Sequence, residues 1–187
     1  MLSKSSRKAE AAGFGLVEML VVMVLVGILA AMCIPLLTNF RQHLQLASAA
    51  DTLHAEIQHA RSEAARLGRS VRLSFSEHPL GTCYIIHVGN TGDCRCKDDG
   101  RVACTAGYLL KASWIDKKSQ ILLRANVPGL SFDPDGGYGT SAGTIGLTNA
   151  AGENISHVVS LVGRISSCTT TPGKNSLPKC DINTKKS

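Results

Sequence analysis

The sequence predicts an α+β protein: one long N-terminal α-helix, transmembrane in its first half and amphipathic in its second, packed on an antiparallel β-sheet head. Three observations carry this. Gly15 to Leu37 is an apolar run holding one charge, Glu18. Leu46 to Leu67 then repeats apolar residues at alternating spacings of three and four. Beyond Ser70 the pattern turns to short alternating runs separated by Gly-, Pro- and Asp-rich turns.

The apolar run is Val, Leu, Ile, Met, Ala and Gly, with Cys33 and Pro35. More than about 18 such residues suffice to cross a bilayer as a helix. A carboxylate inside costs roughly 2.5–3.5 kcal/mol near the bilayer centre on insertion scales. Glu18 is therefore a functional candidate that awaits a positive partner; the plainer reading is a side chain snorkelling at the membrane edge. Pro35 removes one backbone hydrogen bond and should bend or loosen the helix. Further on, Leu46, Ala50, Leu53, Ile57, Ala60, Ala64 and Leu67 share one face, and Asp51, Glu56, Gln58, Arg61, Glu63 and Arg66 take the remaining positions. Gly68 supplies a stop. The helix is expected from Phe14 to about Leu67, roughly 80 Å at 1.5 Å per residue.

Strands are expected at Val71 to Phe75, Tyr84 to Val88, Tyr108 to Trp114, Gln120 to Ala125, Leu130 to Phe132, Thr144 to Leu147 and Val158 to Gly163, with a last contribution from Val162 to Ser166. Asp133-Pro134-Asp135-Gly136-Gly137 is a turn cluster. Gly89 to Ala103 reads as a disulfide-bridged loop. Thr169 to Ser187 is polar and expected to be loosely ordered unless tied down.

Charge and cysteines locate the chain. The net charge is +6, and loss of residues 1–13, with three positive and one negative side chain, leaves about +4. A mildly basic chain is compatible with a polyanion partner without requiring one. Positive charge ahead of the apolar run places the N-terminus in the cytoplasm and the head in the periplasm. Cys83, Cys94, Cys96, Cys104, Cys168 and Cys180 are even in number and suit that oxidising compartment as disulfide candidates, whereas Cys33 reads as an apolar helix residue. Six cysteines allow 15 pairings; Cys168 with Cys180 is favoured as a staple of the tail, with the other four pairing among themselves. The rival is a zinc site on Cys83, Cys94, Cys96 and Cys104, against which stands the single residue between Cys94 and Cys96.

The polar segment Met1 to Gly13, with Lys4, Arg7 and Lys8, has its small residue before the apolar run, unlike a secretory signal. Basic leader, Gly13-Phe14 junction, Glu18 and unbroken apolar helix together closely resemble the class III signal of type IV pilins and type II secretion pseudopilins. The resemblance implies cleavage between Gly13 and Phe14 by a prepilin peptidase and N-methylation of Phe14. It also implies that Glu18, fifth in the mature chain, pairs with the amine of a neighbouring subunit. Gly15 stands where Thr or Ser is usual. In the head, Ala60-Arg61-Ser62-Glu63-Ala64 through Gly68, Phe132-Asp133-Pro134-Asp135-Gly136, and Ser160-Leu161-Val162-Gly163-Arg164 resemble signatures of the GspH/FimT group. The implied organisation is a leader at 1–13, a transmembrane and assembly half-helix at 14–37 including Glu18 and Pro35, an amphipathic half at 38–68, a periplasmic head of type IV pilin-like fold at 69–168 and a basic tail at 169–187.

The resemblance implies a non-catalytic minor pilin of the bacterial inner membrane, single-pass until assembled, that helps initiate type IV pili. Its partners are other pilins or pseudopilins through the helix, the prepilin peptidase and the membrane, with no cofactor. One alternative is a minor pseudopilin of type II secretion. Another is a DNA receptor for transformation, since some relatives bind DNA through Gly-Arg-x-Arg. Here the motif reads Gly163-Arg164-Ile165-Ser166, so the second Arg is missing, and Lys174, Lys179, Lys185 and Lys186 remain as nonspecific phosphate contacts. No aromatic residue is interleaved to stack bases.

Enzyme and metal readings are weak. His54 and His59 are five apart, the wrong spacing for one helix face, and read as surface or subunit-contact residues. His43, His78, His87 and His157 form no motif. Asp93, Asp98, Asp99, Asp133 and Asp135 lack the closing Glu of a calcium loop.

Overall fold

The computed structural model describes residues 15–135, 139, 142–170 and 177–180. Two units result, Met1–Phe40 and Arg41–Ser187. In the first, the described chain is helical from Leu16 and exposed along its length; in the second, the remainder of the same helix joins a β-rich head.

Helix α1 covers Leu16–Leu67 without an assigned break at Pro35. In the head unit it buries Leu46, Ala50, Leu53, Ile57, Ala60 and Ala64, all at most 2% exposed, as the three-and-four spacing requires. Gly68 ends it at φ +60°, a left-handed position that favours glycine. The strands are β1 (Val71–His78), β2 (Gly81–Val88), β3 (Cys94–Cys96), β4 (Val102–Cys104), β5 (Tyr108–Asp116), β6 (Leu122–Ala125), β7 (Gly129–Phe132), β8 (Gly143–Thr148), β9 (Asn154–Val159) and β10 (Ile165–Cys168). All strand pairs are antiparallel: one sheet runs β5-β2-β1-β7, a second β10-β9-β8-β6, and β3-β4 is a separate hairpin. Residues of α1 share one core with the inner faces of both larger sheets, among them Leu73, Ile86 and Phe132 of the first and Leu123, Ile145 and Val159 of the second.

Among the polar contacts that fasten α1 to the head, one reaches each sheet. Glu56, placed by the sequence pattern on the solvent side, is instead 5% exposed. Its carboxylate lies 2.8 Å from Lys111 Nζ and accepts from the Ser113 hydroxyl at 3.2 Å, both on β5. Burial, then the hydrogen bond to Glu56, holds the Tyr84 phenol well above its ordinary value. A buried carboxylate is tolerated there because it is paired and hydrogen-bonded. On β9, His157 donates from Nε2 to the Ala50 carbonyl at 2.9 Å and accepts at Nδ1 from the Ser167 hydroxyl at 3.0 Å. His54 is half-buried against the His157 ring, 5.4 Å between centroids, rather than a plain surface residue.

Other expectations shift. The strand expected at Val158 to Gly163 starts four residues earlier and stops at Val159, because Ser160 to Arg164 close a turn; the last strand is correspondingly later, Ile165–Cys168. Gln120 belongs to no strand: it caps a 3-10 turn at φ 57°, and β6 starts at Leu122. The Gly89 to Ala103 loop, together with Cys104, forms the β3-β4 hairpin, with Cys94 directly opposite Cys104. The disulfides are Cys83–Cys96, Cys94–Cys104 and Cys168–Cys180, so these thiols are not free to bind zinc. In the tail, Lys179 forms a bridge with Thr169 beside the Cys168–Cys180 bond.

Replacing Glu56 with Ala should destabilise the head by about 1–3 kcal/mol in denaturant titration, less than for a fully buried pair because Lys111 can turn to water. His87 and His157 are both held below the ordinary histidine value, chiefly by burial. The unfolded chain therefore binds more protons, and stability should fall as pH drops through about 6.5 toward the folded-state values. The urea midpoint should decrease between pH 7.5 and 5.5, with part of that slope lost in His157→Gln.

Candidate functional site

The first candidate region is the apolar half of α1. Glu18 sits in the first helical turn, its backbone N–H bonded to the Gly15 carbonyl at 3.0 Å. The helix dipole favours a negative charge there. Around it Met19, Leu20 and Val21 are 53–58% exposed. Apolar side chains stand open on every side of this half of the helix, which is long and apolar enough to cross a membrane. A helix apolar all round needs lipid or other helices as its surroundings. Gly13 and Phe14 lie outside the described residues, as do the side chains of Cys33 and Pro35.

The second region lies on the head, where the β9-β10 turn meets α1. Ser160 N–H donates to the Arg164 carbonyl at 2.9 Å, and Gly163 N–H to the Ser160 carbonyl at 2.8 Å. Gly163 adopts φ +72°, so the turn depends on its glycine. The Ser160 hydroxyl accepts from the Arg164 N–H at 3.1 Å. Arg61 of α1 reaches across, donating from Nη1 to the Gly163 carbonyl at 3.3 Å. Arg61 and Arg164 line an open groove of about 570 Å³ with Gln58, Ser62, Ala65, Val162 and Ile165. Leu161 and Val162 are more than half exposed at the turn's tip.

Of the five cationic residues expected to contact DNA, the structure describes Arg164 and Lys179; Lys174, Lys185 and Lys186 lie outside the described residues. The two are not brought together. Lys179 pairs with Thr169, five residues past Arg164 and about 17 Å farther along the extended chain. The groove instead joins Arg164 to Arg61, which the sequence presented as a polar position of the helix and part of a helix-end signature. Among the described residues no cluster of three or more His, Cys, Asp or Glu side chains has metal-binding geometry.

The family model described as "Type II transport protein GspH" matches residues 49–163, and that of the prokaryotic N-terminal methylation motif matches residues 9–34. No curated protein matches the chain. Among solved structures, the type IV minor pilin FimU of Pseudomonas aeruginosa is similar in two crystal forms, each at 22% identity. One alignment covers 68% of this chain and 90% of that one at a TM-score of 0.52. The other covers 65% and 91% at 0.49. The first likeness shows the fold, a pilin-type helix on antiparallel sheets. Pilins are structural subunits that assemble with one another through the N-terminal helix. With family models over both the methylation motif and the head, the chain belongs to the GspH/FimT family of minor type IV pilins and pseudopilins.

Proposed function

We propose that this protein is a minor type IV pilin, a low-abundance subunit that helps initiate pilus assembly and acts by docking rather than catalysis. The observation that carries the reading is the solitary carboxylate of Glu18 in an otherwise apolar, uncovered half-helix directly after Gly13-Phe14. In this reading a prepilin peptidase cuts between Gly13 and Phe14, and Phe14 is N-methylated. The helix anchors the subunit in the inner membrane with its head in the periplasm. Glu18 then pairs with the terminal amine of a neighbouring pilin, which offsets the roughly 2.5–3.5 kcal/mol of holding a charge in hydrocarbon. Packing of the helix among other helices holds the fibre.

The family description favours a second reading, a minor pseudopilin of type II secretion. A deletion strain scored for twitching, DNA uptake and protein secretion separates them: loss of twitching with secretion intact supports the pilus, and the converse overturns it. The paired arginines of the head groove favour a third reading, a contact for DNA phosphates during uptake.

The mature chain should begin at methylated Phe14 by mass spectrometry. Glu18→Ala should still insert and fold, yet be recovered in sheared pili at a small fraction of the wild-type amount; normal recovery contradicts the docking role. For the DNA reading, Arg164→Ala should weaken duplex binding across sequences and lower the salt slope by about 1. A complex indifferent to salt, or to Arg164→Ala combined with loss of the tail lysines, rules that reading out.

A further inference from the structure

The two disulfides of the β3-β4 hairpin differ in their access to water. Cys94 and Cys96 alternate with exposed Arg95, so both face inward from β3. They pack with Cys83, Ile85, Val102 and Trp114 in a small cluster separate from the main core. Cys83, Cys94 and Cys96 are 0%, 2% and 8% exposed, whereas Cys104 at the end of β4 is exposed. One of the two bonds thus ends at an open residue; the other is enclosed at both ends.

We propose that Cys94–Cys104 is a reversible thiol-exchange site for an external dithiol, opening β4 while Cys83–Cys96 keeps β3 on the sheet. The incoming thiolate attacks Cys104 Sγ, because access decides which sulfur is reached. The Cys94–Cys104 bond breaks, a mixed disulfide forms on Cys104, and Cys94 leaves as a thiolate that takes up a proton. The second thiol of the reductant attacks its own sulfur in the mixed disulfide and releases Cys104. Two electrons pass from the dithiol, which ends as a disulfide, to the cysteine pair. What then holds β4 is a three-residue pairing with β3, flanked by hydrogen bonds from Thr105 to the Asp93 carbonyl and from the Lys97 N–H to the Arg101 carbonyl; a two-stranded hairpin this short is marginal on its own. Opening stays local, since none of these cysteines belongs to the core built on α1. Val102 leaves the cluster, and Trp114 loses a neighbour.

Trp114 is the sole tryptophan of the chain and packs on this cluster, so its fluorescence reports the opening. The detergent-solubilised full-length protein is equilibrated with graded dithiothreitol redox buffers. It is then trapped by alkylation and mapped peptide by peptide, with far-UV circular dichroism in parallel. Cys94 and Cys104 should become alkylated under conditions at least about tenfold less reducing than Cys83 and Cys96, a separation of about 30 mV for a two-electron couple. A Trp114 fluorescence change should accompany this first step while the circular dichroism holds. The variant Cys94→Ser/Cys104→Ser should lack the first fluorescence step and retain the later one. Joint alkylation of all four cysteines, or alkylation of Cys94 and Cys104 only once circular dichroism is lost, overturns the proposal.

Discussion

The second half of α1 has to serve two sheets at once, because the inner faces of both meet the same helix stripe in one core. Ala50, Ala60 and Ala64 share that stripe with Leu46, Leu53 and Ile57, and all six are at most 2% exposed. Such a stripe gives affinity but little register. Its members recur every seven residues, as in Leu46 and Leu53, or Ala50, Ile57 and Ala64. A helix slid by about 10 Å along its axis would therefore offer a similar face. The polar anchors remove that degeneracy. Glu56 meets Lys111 and Ser113 in one position only, and the Ala50 carbonyl meets His157 in the same one. Any other register strands buried polar groups, which costs more than the packing difference between neighbouring registers.

This explains what could be read in advance and what could not. The helix was legible because its signal is local, a periodicity within some twenty residues. The sheet-facing runs at β1, β2 and β8 were legible for the same reason. Glu56 was misplaced because it sits at the border of the apolar stripe, where a charged letter looks solvated. Only partners 55 and 57 residues away on β5 make it a core residue. The start of β9 is hidden in the sequence because polar His157 takes the inward position between Ile155 and Val159, and Ser156 beside it is buried too, so the alternation is interrupted. The β3-β4 hairpin was invisible because Cys-Arg-Cys and Val-Ala-Cys are too short to show a period.

The candidate sites divide along the same line. Glu18 was readable because its meaning lies in its immediate surroundings, one charge among apolar neighbours. The groove at the β9-β10 turn was not, since Arg61 and Arg164 meet only through a left-handed glycine and a helix-to-turn hydrogen bond. The chain lacks the second Arg of Gly-Arg-x-Arg, yet a guanidinium from α1 lines the same groove. A motif broken in sequence is thus no measure of the charge assembled in space.

The apolar half of α1 carries the remaining weight of the proposed function. Its described apolar side chains are exposed, and in the proposed function their surroundings come from lipid and then from other helices. Lipid and helix neighbours are nearly equivalent for Val, Leu and Ile, since hydrocarbon is as apolar as they are. Apolar packing alone therefore gives only a weak reason to leave one for the other and does not set how far one helix advances past the next. Glu18 changes both. Its charge is tolerable near the membrane edge, where the first helical turn and interfacial water help hold it. Moved deeper as a fibre grows, it becomes costly unless a positive group lies at its own height. In the proposed docking role, a single carboxylate is thus inexpensive in storage and demanding in assembly, selecting the one axial position at which a neighbouring helix presents an amine.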